Sequence, residues 1–263
     1  MRDNFCYTIL MSWAARRRFL ILFCIGAIVV AFLVTVLIST FYKTPTCSDN
    51  IQNQGEAGID CGGPCQYLCT ALEQPPVVLF THVLHVGGRT DIVAEVENKN
   101  VSAAAKNVPY TISLYNSKNT LIQKVTGTLD LPPRSTEPVY IPGVYSGKQK
   151  VTSAFITIPP TSPEWFTLAN NSYVVPTVSN ITKSGTLSQP RVEATITNTS
   201  FSALTNEQVI IFIYDANKNV IAASSTVIPS LQGQGQYIVT FTWNNAFPST
   251  PALLEIVPIP QLP

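Results

Sequence analysis

Charge is scarce in this chain. Lys, Arg, Asp and Glu make up 12% of the 263 residues, and histidine occurs only twice, as His82 and His85. A nucleic-acid or anionic-membrane surface needs a basic patch. The twelve basic and fourteen acidic residues beyond Tyr42 leave that part near −2, so those partners are excluded. Catalytic signatures are missing as well. There is no G-x-S-x-G, no H-E-x-x-H and no phosphate-binding loop. In an extended strand, the spacing of His82 and His85 puts them on opposite faces. The carboxylates are scattered singly, without the pairing that acid–base catalysis requires. The chain reads as non-enzymatic, with no catalytic residue and no cofactor-binding motif. Cysteine is absent after Cys69. One long apolar run occurs, with no second.

That run, Phe19–Tyr42, contains no charged residue. As a helix it would reach about 36 Å at 1.5 Å per residue, enough to cross a hydrocarbon core of about 30 Å. A helix satisfies every backbone polar group within lipid. The run is longer than the apolar region of a cleaved signal peptide, and Ser39-Thr40-Phe41-Tyr42-Lys43 has no small-residue cleavage pattern. Thr44-Pro45-Thr46 is likewise a poor lead-in to an acylated Cys47. We read an uncleaved anchor. Arg16, Arg17 and Arg18, with Arg2 further back, abut one end, while Lys43 stands alone at the other. The positive-inside rule then keeps residues 1–18 in the cytoplasm and exports everything after the span of residues 19–42. Cys6 and Cys24 read as a free thiol and a small apolar residue.

Residues 43–74 form a cysteine-rich module, Cys47-x13-Cys61-x3-Cys65-x3-Cys69. An even count in an oxidising compartment points to two disulfides, and a segment this short needs cross-links to be ordered. Three connectivities are open. The very small loop of a Cys65–Cys69 bridge favours pairings that use Cys47. Zinc is the alternative, since C-x2–4-C pairs suit it, but the distance of Cys47 and the exported location weigh against it. Asp49, Asn53, Glu56 and Asp60 lie among glycines and are candidate Ca²⁺ ligands. The bland reading is that Asp and Asn initiate turns. The pattern Cys-x-Asp-x3-Asn-x2-Glu-x3-Asp-Cys-Gly-Gly-x-Cys resembles a short cysteine motif of bacterial and archaeal surface and secreted proteins. There it sits beside β-sandwich or repeat domains. Cys69 follows Cys65 after three residues, one more than that motif leads us to expect.

The remainder is rich in Val, Ile, Thr and Tyr, punctuated by Pro, Asn, Gly and Ser, which indicates strands. In Asp91-Ile92-Val93-Ala94-Glu95-Val96-Glu97-Asn98, Ile92, Ala94 and Val96 alternate inward. Asp91, Glu95 and Glu97 are then expected to face water. About a hundred residues later the pattern returns as Arg191-Val192-Glu193-Ala194-Thr195-Ile196-Thr197-Asn198. Ile112-Ser113-Leu114-Tyr115-Asn116 likewise matches Ile211-Phe212-Ile213-Tyr214-Asp215, each followed by a polar hairpin turn. Two matching blocks at one separation indicate an internal duplication.

This strand–Tyr–Asp–turn pattern resembles the FxLYD-type domain, a small immunoglobulin-like sandwich of bacterial envelope proteins. Asn116 stands where that family usually has Asp. The resemblance implies fold and envelope location, and no activity. Later strands are expected at Val151–Ile158, Tyr237–Trp243 and Leu253–Val257, the aromatics of Tyr237–Trp243 filling a core.

The fold class expected is mainly β, a single transmembrane helix followed by two tandem immunoglobulin-like sandwiches at residues 75–160 and 172–260. A proline-rich connector at 161–171 and Pro75-Pro76 are stiff, so the expected shape is a rod. The function expected is a single-pass cell-membrane protein with a structural or adhesive ectodomain that contacts protein or glycan. The alternative is an accessory subunit of an envelope or secretion assembly. N-x-S/T sequons stand at Asn100, Asn170, Asn180 and Asn198.

Overall fold

A computed structural model describes residues 13–41, 46–160, 163–168 and 173–263. Arg2, Cys6, Tyr42, Lys43, Asn170 and the ends of the 161–171 connector lie outside the described residues. Helix α1, Trp13–Phe41, is long and apolar enough to cross a membrane, with a mean hydropathy of 3.2 in its most apolar window. Its most apolar stretch is not buried against any other part of the described residues. At its N-terminal end the Arg17 guanidinium sits 5.7 Å from the centre of the Trp13 ring, a cation–π pair suited to an interface.

Beyond the cysteine module, which is built of turns and a short 3-10 helix at Thr70–Leu72, the strands of the described chain pair antiparallel. The first sandwich comprises β1 (Val77–Val86), β2 (Arg89–Glu97), β3 (Ala103–Tyr115), β4 (Leu121–Leu131), β5 (Thr136–Tyr145) and β6 (Ser153–Thr157). Its sheets run β1-β2-β5 and β4-β3-β6. A two-residue strand, β7 (Phe166–Thr167), pairs with the start of β3. The second sandwich comprises β8 (Thr177–Thr186), β9 (Gln189–Thr197), β10 (Leu204–Tyr214), β11 (Val220–Leu231), β12 (Gln236–Thr242) and β13 (Leu253–Pro258). It shows the same order, β8-β9-β12 facing β11-β10-β13. The fifth strand of each returns to pair with the second, which is the immunoglobulin-like crossover.

Alternation decides each core. Ile92, Ala94 and Val96 meet Ile112, Leu114 and Val139 in the first; Val192, Ala194 and Ile196 meet Val209, Ile211 and Ile213 in the second. Phe241 and Trp243 fill the second core, whereas Tyr237 at the end of the same face remains partly exposed. The two sandwiches also repeat their polar devices. Asn98 Nδ2 donates to the carbonyl oxygens of Ala103, Leu131 and Pro132. Asn198 Nδ2 donates to those of Ser202, Leu231 and Gln232. Asn116 Oδ1 accepts from the amides of Lys118 and Thr120, and Asp215 Oδ1 from those of Asn217 and Asn219. Asn and Asp are equivalent in this turn because both offer one acceptor oxygen at the same place. The amides of Asn219 hold the exposed Asp215 carboxyl below the usual range.

The expected rod is corrected. The outer face of the β1-β2-β5 sheet packs against the outer face of the β11-β10-β13 sheet, so the sandwiches lie side by side. Leu84 and Val93 meet Ile210, Phe212, Tyr214, Val220 and Ala223, with Phe80 at 6.5 Å from Phe212 between ring centres. Val93 is 0% exposed although its neighbours Ile92 and Ala94 fill the opposite face. Val209 to Tyr214 are all buried for the same reason, since a strand covered on both faces loses its alternation. Side-by-side packing also corrects the solvent-facing carboxylates. Asp91 is 1% exposed, 3.0 Å from Arg89 Nε, and accepts from the Tyr140 hydroxyl and the Gly143 amide. The Tyr214 hydroxyl lies 2.8 Å from both Glu95 Oε1 and Glu255 Oε2. A phenol has one proton, so two hydrogen bonds form there only when one carboxyl is protonated. Burial, and then the neighbouring Glu255 carboxyl, raise the Glu95 pKa against the opposing hydrogen bond from Tyr214. The connector is corrected as well. Trp165 is buried in the first core, and Leu168 donates its amide to Ser102 O, so this segment is laid onto the sandwich.

Truncating Phe212 to Ala removes a ring shared by both sandwiches, with an expected loss of about 3–5 kcal/mol. Urea unfolding followed by tryptophan fluorescence should show one cooperative transition at lower midpoint. Two separated transitions in the wild type would show instead that the sandwiches fold independently. Glu137 and Glu207 are buried with carboxyl oxygens lacking a partner, and burial pushes both pKa values to about 7. The native state therefore binds more protons than the unfolded chain between about pH 4.5 and 7. Stability is expected to fall as pH rises through that window, measured by urea unfolding at pH 5 and pH 8. Glu207→Gln should flatten the dependence.

Candidate functional site

The cysteine module takes its shape from two disulfides, Cys47–Cys65 and Cys61–Cys69. They overlap in sequence, so the first fixes the start of the module to its middle and the second closes its end. Gly63 lies at φ 58°, and a Cβ there would come 2.2 Å from Gly55 O. Only glycine fits this crossing of the chain with itself.

The four oxygen donors named from sequence are used largely by the backbone. Asp60 accepts from the amides of Asp49 and Asn50. Asp49 Oδ1 accepts from Ile51 N, and its Oδ2 accepts from Asn53 Nδ2. Glu56 Oε2 accepts from the amides of Asn53 and Asp60. These are turn-building bonds. Asn53 Oδ1 is buried without a hydrogen-bond partner. Among the described residues, the cysteine and carboxylate ligand atoms that lie within 4.8 Å of one another belong to Cys47, Glu56 and Cys65. Cys47 and Cys65 are joined to each other, so neither offers the thiolate that zinc binds. Cys65 Sγ lies 3.1 Å from Glu56 Oε1 with no proton to donate.

The module is docked on one end of the first sandwich. Leu68 N donates to Trp165 O, and Thr167 N to Gln66 O. Asn100 exchanges two bonds with the Gln74 backbone, each 2.8 Å. Asn100 and Asn198 are thus buried structural groups, whereas Asn180 is exposed on β8. The opposite ends of the same strands carry the β1–β2 turn at Gly87-Gly88 and the β3–β4 turn at 116–119. At Gly87 a Cβ would sit 3.5 Å from Asn245 of the second sandwich. Loops of both sandwiches therefore share the end remote from the module. There Leu187, in the β8–β9 turn, is 93% exposed. It borders an open groove of about 640 Å³ with Phe247 and Pro251.

No catalytic set assembles at the histidines. His82 and His85 both lie on β1, opposite Val93 and Thr90. Burial, and then the neighbouring His85, lower the His82 pKa. Neither joins a convergent group of three metal-binding side chains among the described residues. Sequence reasoning missed the buried carboxyls Asp91, Glu137 and Glu207 and the half-buried Glu95. Single carboxylates in β-branched runs carry no signal that separates a solvated face from a covered one.

No family model matches the chain, and no curated protein matches it. Among solved structures, the crystal structure of red sea bream transglutaminase aligns over 70% of this chain at 14% identity, with a TM-score of 0.23. The chain spans 29% of that protein's length. A superposition of that quality carries no argument about activity.

Reduction and chelation should separate the roles within the module. Each disulfide is expected to contribute about 3 kcal/mol by restricting the unfolded chain. Dithiothreitol should therefore expose the module to limited proteolysis. EDTA should leave the digestion pattern unchanged; a new EDTA-dependent cut between Cys47 and Cys61 would identify a bound cation.

Proposed function

We propose that this chain is a single-pass, N-in cell-envelope protein whose paired sandwiches form a rigid, non-enzymatic recognition unit for a protein or glycan. The observation that carries this reading is the shared loop end. Turns from both sandwiches meet at Gly87 and Asn245, and the exposed Leu187 borders the groove that the second sandwich forms beside Asn245. A module tied by two disulfides and bonded to the first sandwich acts as a collar that holds this end away from the membrane. Rigid presentation lowers the ordering cost of binding. The matched Tyr115-Asn116 and Tyr214-Asp215 turns, and the matched Asn98 and Asn198 bonding, support descent of both sandwiches from one FxLYD-type unit.

The accessory-subunit reading places recognition in α1. The hydroxyls of that helix have internal partners: Thr35 donates to Ala31 O, Ser39 to Val36 O and Thr40 to Val36 O. This favours a plain anchor. Full-length protein in nanodiscs, applied to glycan arrays and used in pull-downs from native envelope extracts, tests the choice. Leu187→Ser is expected to weaken capture at least about tenfold, as loss of a central apolar anchor does, with the thermal midpoint unchanged. Capture lost only when the span is exchanged for an unrelated one would establish the subunit reading instead.

A further inference from the structure

A second cleft lies between the sandwiches, apart from the loop end. It encloses about 330 Å³ along the edges of β4 and β5, closed by the β10 segment around Gln208 and by residues 259–261. Its charged side chains are Asp130 and Glu137, and no Lys, Arg or His lines it. Lys106, on the neighbouring stretch of β3, is occupied by the carbonyl oxygens of Leu262 and Pro263. Glu137 is 5% exposed, and its Oε2 has no hydrogen-bond partner. An unpartnered buried acceptor is destabilising, and a donor in the cleft would offset that. Tyr110 and Tyr140 add aromatic surface, Gln208 adds an amide, and Ile210 and Ile259 add apolar walls.

We propose that this inter-sandwich cleft binds a small organic cation, an ammonium or guanidinium group, with Glu137 and Asp130 as counter-charges. The chemistry selects the class. Two carboxylates without a base reject anions. Apolar and aromatic walls suit an alkylammonium and its cation–π contacts. The volume lies at the small end of ligand pockets. A bare divalent metal ion would want six or more oxygen ligands, for which two carboxylates between apolar walls are a poor shell. Burial, with a smaller contribution from Asp130, puts the Glu137 pKa near 7. A bound cation favours the ionised form, so binding at neutral pH releases a proton.

The same chemistry reaches the cleft from two sources, a free amine or the basic side chain of a peptide. Isothermal titration of full-length protein in detergent at pH 7, with 1,4-diaminobutane and with Nα-acetyl-lysine amide, distinguishes them by which binds more tightly. One-to-one binding is expected, with an apparent enthalpy that depends on the buffer's ionisation enthalpy through the proton released. Glu137→Gln should weaken it about thirtyfold or more, the scale for removing one partner of a buried charge pair. If Glu137→Gln does not fold, Gln208→Lys provides the second test. It changes an exposed residue at the rim and supplies an internal ammonium, and should abolish binding. Absence of binding by both amines, affinity unchanged in both variants, or saturable binding of Ca²⁺ in place of the amines would overturn the proposal.

Discussion

Burial of β2 and β10 on both faces is the constraint from which the rest of the ectodomain follows. Each strand fills its own sandwich with one set of side chains and meets the other sandwich with the alternate set. Val93 on one side and Phe212 on the other are the centre of that second contact. Because these strands are also the middle strands of their sheets, the contact couples both cores directly. A shift of one sandwich against the other would disturb side chains only one residue away from each core. The paired sandwiches are therefore a single packed body, and their loops take fixed relative positions.

The contact is one-sided. The first sandwich presents its β1-β2-β5 sheet, and the second presents its β11-β10-β13 sheet. The equivalent free faces carry different residues. Where the joint has Phe212 and Ile210, the first sandwich has Ser113 and Thr111; where it has Val93, the second has Glu193. The joint between the sandwiches is thus closed within the chain.

The polar groups at the joint are arranged to be satisfied under burial. Asp91 has Arg89, Tyr140 and Gly143 as partners, and Glu95 and Glu255 share Tyr214. Glu137 is different, because one of its oxygens remains without a partner beside a cleft. Glu207 is also unpartnered, but only Glu137 lines the cleft, which sets it apart as the acid suited to meet a ligand.

Local patterning was enough to read the strands, the matching Tyr-Asn/Asp turns, the apolar helix and the four disulfide cysteines as a set. Those features depend on periodicity of two, on turn chemistry and on length, all of which are properties of short segments. The expected strand at Leu253–Val257 and the strand β13 differ by a single residue for this reason. The disulfide pairing, the docking of Trp165 and the side-by-side joint needed the tertiary structure, because each joins segments that no local pattern relates. Traces were present: Val209 to Tyr214 lacks alternation, and Ile92-Val93-Ala94 interrupts it. Such runs announce that a strand is covered twice without saying by what. The sequence by itself determined an apolar span, a cross-linked collar and two β units; only the tertiary structure decided that the units share a face, since burial is a property of neighbours and not of residues.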